Sequence, residues 1–378
     1  MSRSSSAEVA SGLPSPPGTP TLKPTNPYYL NAVLTAKRHE PPPPFGGLYR
    51  AKQVPFLPTS THVDPLEWCI SHPPTPGTTS TEDIHTFTIT GIIRTGDNCG
   101  AQVVHIDSDL IAKIYDPVYY EYHGSSTTQR QVDISVAADS EYSRETAAYV
   151  ELKDSDAQGT IMPKYYGSWT TTVSHRVGDG AVEREVRMIL LESVPGIQMI
   201  YLDPGGLTKE ERENIMMKLI EADYDLRHLG IEHNDVAPRN VIISRASSYI
   251  NPKLRVTLID YGSSYVSRIL WGEAPLWCRH NPAFDWVTAE QWSSWGWLPY
   301  DEEERIDWVW SVWGDGRDGK YIKVERDPDN PHGGPEEPNF VDSEEEGRSD
   351  VLEPVALDQP PILETADEDT SEVHAMQF

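Results

Sequence analysis

His233-Asn234-Asp235-Val236-Ala237-Pro238-Arg239-Asn240 places a carboxylate and a carboxamide five residues apart on a polar loop, directly before the apolar Val241-Ile242-Ile243. In that arrangement Asp235 can accept a hydroxyl proton while the oxygen of Asn240 ligates magnesium. A second acid, Asp260, ends the apolar stretch Leu258-Ile259 and precedes Tyr261 and Gly262. The glycine lets the backbone turn sharply behind it. Upstream, Lys113 lies in the apolar run Leu110-Ile111-Ala112-Lys113-Ile114, after a turn bounded by Gly96 and Gly100. A lone lysine in a strand is ordinarily a solvated side chain. Its apolar neighbours and the preceding glycine turn, whose backbone can offer donors to phosphate, point instead to a functional lysine.

The elements that would position these groups can be read from periodicity. TFTITGIIR, AQVVHID and DLIAKIY alternate as strands, with the glycine turn between the first two. SVAADSEYSRETAAYVELK reads as a helix with its apolar face at Ala138, Tyr142, Ala148, Tyr149 and Leu152. YYGSWTTT and VRMILLESV read as two more strands around a charged hairpin at Gly178 and Gly180. Thr208 and Glu211 have capping-box spacing, and Ile215, Leu219, Ala222, Leu226 and Leu229 recur every three to four residues up to Gly230, predicting a long helix. Nine of the eleven tryptophans lie between Trp271 and Trp313, which predicts aromatic packing of short helices.

Composition bounds the rest. Of 32 prolines about half precede residue 80, so residues 1–80 read as a disordered Pro/Ser/Thr-rich segment, within which Pro41–Pro44 could dock a proline-recognition partner. Tyr28, Tyr29, Leu30 and Val33 could form a short packed element there. From Arg326 onward there are 16 acids against 2 arginines, about half of the net charge of −28, predicting an acidic disordered tail over 326–378. An ordered domain over 81–325 remains, long enough for a two-lobed core. The acidity and the lack of a basic patch argue against nucleic acid. Three unpaired cysteines, Cys69, Cys99 and Cys278, fit a reducing compartment; with no signal peptide or spanning run, the expectation is an intracellular protein, cytoplasmic or nuclear, that contacts no membrane.

Taken in order, these pieces resemble the protein-kinase superfamily over about three-fifths of the chain. The loop at 233–240 resembles H-x-D-x-x-x-x-N, Asp260-Tyr261-Gly262 resembles D-F-G, and Leu110–Ile114 resembles V-A-I-K. The resemblance implies an α+β, bilobal fold: a β-rich N-lobe over about 81–194, a helical C-lobe over about 195–325, ATP and magnesium as cofactors, and a protein or small-molecule hydroxyl as phosphate acceptor. It implies that Asp235 is the base, Asn240 and Asp260 hold magnesium, and Lys113 positions the phosphates. Glu145 is the first candidate to pair with Lys113, with Glu141 one turn earlier as its competitor. In Met188–Gly196, Leu191 takes the gatekeeper position, and the Glu192 carbonyl and Val194 amide would meet the adenine edge. RETAAYVELK, IMPKYYGSW, ILLESVPGIQM and IEHNDVAPRNVII resemble a fungal protein-kinase-like group related to the aminoglycoside and choline phosphotransferases.

The departures narrow this. Asn234 replaces the Arg that clamps a phosphorylated activation loop, and no A-P-E segment follows Asp260, so regulation by such a phosphate is not expected. Arg239 could supply charge at the transferring phosphate, or form a salt bridge within its own loop. The Gly96–Gly100 turn is degenerate beside G-x-G-x-x-G. It leaves an ATP-binding pseudokinase, or an interaction scaffold, as the alternative to a working phosphotransferase.

Overall fold

Residues with alternating apolar side chains build the first half of the chain. The computed structural model describes residues 23–44, 64–97, 99–107, 110–120, 133–177, 180–244, 253–272, 280–286 and 289–327. Six strands close into a barrel: β1 (Val33–Glu40), β2 (Thr78–Arg94), β3 (Gln102–Ile106), β4 (Leu110–Tyr115), β5 (Tyr165–Val177) and β6 (Gly180–Glu192), in the order β1-β2-β3-β4-β6-β5. Leu34, Ala36, Ile89, Val104, Ile106, Ala112 and Ile114 are buried in it. Helix α1 (Pro65–Ser71) precedes β2, and α2 (Ile134–Glu151) packs against β4, β5 and β6. The expected face of α2, from Ala138 to Leu152, is buried at all five positions.

Residues 23–44 and 64–80, expected to be disordered, are in large part structured. Val33–Glu40 alternates in burial and pairs on both sides, with β2 (Leu34 opposite Phe87) and with β5 (Ala36 opposite Thr171). It thereby removes the sheet edges that β2 and β5 would otherwise expose. Before it, Tyr28 is buried and donates to Asp116 Oδ2 at 2.6 Å, an atom that also accepts from Arg184 at 2.6 Å. Tyr29, Leu30 and Val33, by contrast, stay exposed. The caps of α1 are local: Asp64 accepts from the amides of Leu66 and Glu67, and Pro65 opens the helix. Of the four prolines after β1, Pro44 is buried, Pro41 and Pro42 are half-buried, and Pro43 is exposed. Residues 1–22, 45–63, the tail from 328 onward and Cys278 lie outside the described residues.

After Glu192 the chain is mostly helical. Two-residue β7 (Ile197–Gln198) leads to α3 (Lys209–His228), which carries the predicted capping box between Thr208 and Glu211. Ile215, Leu219, Ala222 and Leu226 are buried; Leu229, at the cap, is 40% exposed because the helix ends there, before Gly230 at φ 85°. Then come β8 (Ile231–Glu232), β9 (Val241–Ile243), β10 (Val256–Leu258) and β11 (Tyr265–Val266). These form two small sheets, β10-β9-β7 and β11-β8. Helices α4 (Ser267–Trp271), α5 (Ala283–Trp286), α6 (Glu290–Ser294) and α7 (Glu302–Trp313) complete the described chain. Trp286, Trp292, Trp297 and Trp313 are buried among them. The architecture is mixed, with strands concentrated before Glu192 and helices after it, consistent with α+β. Among the described residues no helix is long and apolar enough to cross a membrane.

Candidate functional site

Lys113 sits in mid-strand, paired with Val103 on β3 and Ile189 on β6, so its backbone is fixed on both sides. Only 6% of the residue is exposed. Its Nζ donates to Glu145 Oε2 at 2.5 Å and to Asp260 Oδ1 at 2.6 Å, joining groups 32 and 147 residues away. Burial opposes the ammonium charge, but Asp260 and Glu145 outweigh it and raise the lysine above its usual value. The reverse holds at Asp260. Burial pushes that carboxyl up, and Lys113 overrides it and holds the group at about 2, so Asp260 is an anion at neutral pH.

Of the two glutamates on α2, Glu145 is therefore the one that meets the lysine. It is fully buried and also accepts from the Tyr115 hydroxyl at 2.7 Å. Glu141 instead accepts from the Tyr120 hydroxyl at 2.7 Å. It is half-buried, and burial, only partly offset by Lys113, raises it to about 7. A side chain at Gly262 would meet Glu141 Cγ at 3.3 Å and Asp260 Oδ1 at 3.5 Å, so glycine is what lets α2 approach this loop.

The second half of the site is the loop between β8 and β9. Asn240, 4% exposed, donates from Nδ2 to Asp235 Oδ2 at 2.7 Å and to the Asp235 carbonyl at 2.9 Å. Arg239 NH2 donates to Asp235 Oδ1 at 2.5 Å, so the salt bridge within the loop is what the fold adopts. His233 Nε2 lies 3.0 Å from the Ile259 carbonyl, and its Nδ1 is 3.3 Å from the Asp235 amide. Burial lowers the His233 pKa and keeps the ring neutral, so one nitrogen donates to Ile259 while the other accepts. Together with the 2.9 Å bond from the Ile259 amide to the Asn240 carbonyl, this ties the loop to the residue preceding Asp260. Asn234 and Asp260 both take left-handed backbone, φ 59° and 69°, which Asn and Asp tolerate better than most residues.

The glycine turn departs from expectation in one respect. The amide of Gly96 is not offered to a ligand: it donates to Gln102 Oε1 at 2.7 Å. Gln102, wholly buried, also donates to the carbonyls of Gly96 (3.0 Å) and Gly100 (3.3 Å), and accepts from Asn26 at 2.9 Å. The Gln102 side chain thus ties the turn together, and Cys99 Sγ adds a bond to the Gly96 carbonyl at 3.1 Å. Glu192 closes β6, and its carboxylate takes two bonds from Arg255, at 2.8 and 3.2 Å, plus one from the Lys164 amide at 3.0 Å. Val194 is half-buried in the connection to β7. Sequence reading missed Gln102, Tyr115 and Tyr120. Their roles rest on side-chain bonds that sequence spacing does not record.

Beside the loop, Asn234 and Val236 line a cavity of about 460 Å³ walled by Trp286, Trp292, Asp285 and Glu290. This is within the size range of small-molecule sites. Among the described residues no group of three or more His, Cys, Asp or Glu side chains could hold a metal ion by themselves.

Comparison with known proteins adds little. No family model matches the sequence, and no curated protein matches it. Among solved structures the chain is similar to a crystal structure of WbdD, at 16% identity and a TM-score of 0.31, covering 48% of this chain and 34% of that one. It is also similar to a structure of the bifunctional kinase-methyltransferase WbdD, at 16% identity and a TM-score of 0.28, covering 44% and 30%. The chain spans about a third of the length of these structures, and a likeness this low carries no argument about activity.

Proposed function

We propose that this chain is an ATP-dependent phosphotransferase with a bilobal, protein-kinase-like arrangement, moving the γ-phosphate of Mg-ATP to a hydroxyl acceptor. The observation that carries the reading is the Lys113 bridge. One buried ammonium is held by a helix glutamate and by the aspartate of an Asp-Tyr-Gly turn, next to a loop in which Asp235 and Asn240 are bonded together.

The residues fit a magnesium ion. Magnesium takes one or two protein oxygens and fills the rest of its octahedron with phosphate and water. Asp260 offers an ionised carboxylate, and because Nδ2 of Asn240 is committed to Asp235, its Oδ1 is left as the acceptor. When bound, the metal supplies positive charge between the phosphates. Lys113 aligns the triphosphate, Asp235 orients the acceptor hydroxyl and takes its proton, and Arg239 holds Asp235 in place. Glu192 and Val194 present the backbone edge for adenine, and the cavity beside Asn234 receives the acceptor. Catalysis of this kind is mostly positioning and electrostatics.

A nucleotide-binding module without transfer activity is the second reading. The engaged Gly96 amide favours it, since the turn has one donor fewer for phosphate. Turnover of Mg-ATP by the purified chain, with a mixed small-molecule and protein extract as acceptor, separates the two. Activity should fall about 10²–10⁴-fold in Asp235→Asn, with Mg-ATP affinity and unfolding midpoint unchanged. Nucleotide binding without label transfer to any acceptor would leave only the binding module.

A further inference from the structure

Cations near the site are mostly spoken for. Lys113 faces two carboxylates, Arg239 faces Asp235, and Lys23 lies 3.7 Å from Asp97 in the glycine turn. Arg94, the last residue of β2, differs. It is exposed, and among the described residues no carboxylate lies within ion-pair distance of it. Its position is set by register: Arg94, directly after a register shift that follows Ile92, stands opposite Val103, and Val103 opposite Lys113. Directly opposed residues of antiparallel strands point to the same face, so Arg94 and Lys113 share one face of the sheet. Two strand spacings, about 10 Å, separate their backbones, a gap that two long side chains can bridge onto one polyphosphate. Arg94 NH2 donates to the Ala101 carbonyl at 3.3 Å, which lays the guanidinium along the glycine turn. Its charge also helps to keep Asp260 ionised.

The site needs such a cation. Glu145 and Asp260 both pair with the one lysine, so a triphosphate would enter a region where carboxylates already outnumber cations. The turn adds the acid Asp97, and the Gly96 amide is engaged by Gln102. Space at the turn is open: a Cβ built at Gly96 or Gly100 meets nothing within 4 Å.

We propose that Arg94 is a phosphate-binding residue of the nucleotide site, its guanidinium fork replacing the backbone donor that Gln102 has taken from the turn. The inference rests on the reading above only in requiring a nucleotide in this cleft. A guanidinium suits the role because it donates two bonds to one phosphate and stays charged at any working pH.

Calorimetric titration of the full chain with Mg-ATP, Mg-ADP and adenosine tests it. Arg94→Gln keeps a donor for the Ala101 carbonyl and removes the charge. It should weaken Mg-ATP about tenfold to a hundredfold, weaken Mg-ADP less, and leave adenosine unchanged. Arg94→Lys should retain much of the Mg-ATP affinity. Equal Mg-ATP affinity in Arg94→Gln and wild type would overturn the inference while leaving the phosphotransferase reading intact. An equal loss of ATP and adenosine would also overturn it, since that would mark a collapsed turn. A wild-type chain that binds none of the three would overturn both.

Discussion

The two halves of the site solve one electrostatic problem in opposite ways. On the barrel side Lys113 and Glu145 are buried, the lysine on a strand paired at both edges, and Asp260, its side chain 35% exposed, reaches in to the same ammonium. On the helical side Asp235 and Arg239 form their pair in the open, with side chains 31% and 53% exposed, on a loop held mainly by the bonds of His233 and Asn240. A buried charge that loses its partner is expensive, whereas an exposed one is rescued by water. The barrel side is therefore coupled to folding, and in the proposed reading the loop side is free to be spent on chemistry.

The largest effect should come from breaking the barrel side. Lys113→Met leaves the buried Glu145, beside the partly exposed Asp260, without a cation, which should destabilise the chain by about 3–5 kcal/mol and abolish the proposed turnover. In the wild type the depressed Asp260 contributes stability above its unfolded value, near 4, and that contribution fades as pH falls toward about 2. In the variant the stranded carboxylates take up protons instead, so the deficit should shrink between pH 7 and pH 5. Urea unfolding at both pH values checks this; a deficit that does not change with pH would mean that the lost packing of the lysine stem, and not its charge, is responsible.

What could be read in advance follows the same division. Lys113, Asp235, Asn240 and Asp260 were legible because each is a polar residue set in or against a short apolar strand, a local pattern. The choice between Glu141 and Glu145 was not. Both lie on the same side of α2, and only the placement of β4 and the Asp260 turn decides which one meets the lysine. Strand β1 was hidden by its surroundings, since prolines flank VLTAKRHE and its partners lie about 50 and 130 residues away. Helix α1 carried readable caps in Asp64-Pro65, but seven residues make too short a period to stand out from a proline-rich background. Gln102 and Arg94 were out of reach because their roles depend on register and on side-chain bonds to backbone, neither of which leaves a trace in spacing.

Glu141 lies between the two regimes and sharpens the contrast. Its carboxyl is raised to about 7 by burial, against the opposing pull of Lys113 and of the Tyr120 hydroxyl bond, with Asp260 and Glu145 as the like charges that face it. A carboxyl raised in the folded state is most stabilising below its unfolded value, near 4.5. That stability is lost as pH rises through about 7. Glu141→Gln keeps an acceptor for the Tyr120 hydroxyl and removes the titration. The variant should gain about 2 kcal/mol over wild type at pH 8 and nothing at pH 4, after allowance for its partial exposure. Urea titrations at the two pH values measure this, and a gain that is the same at both would show that the group does not titrate in the window.

The smallest change in stability belongs to the open pair. Arg239→Ala removes a guanidinium from a half-exposed salt bridge, so unfolding should shift by about 0.5 kcal/mol or less. The kinetic effect decides what the arginine is for. If it acts through Asp235, as their 2.5 Å contact supports, kcat should fall while KM for Mg-ATP holds, because only the orientation of the proposed base is disturbed. If it reaches a phosphate in the working complex, KM for Mg-ATP should rise instead. In that case the two halves of the site would share the work of holding the nucleotide, and the division between a folding-coupled barrel side and a chemically free loop would not hold.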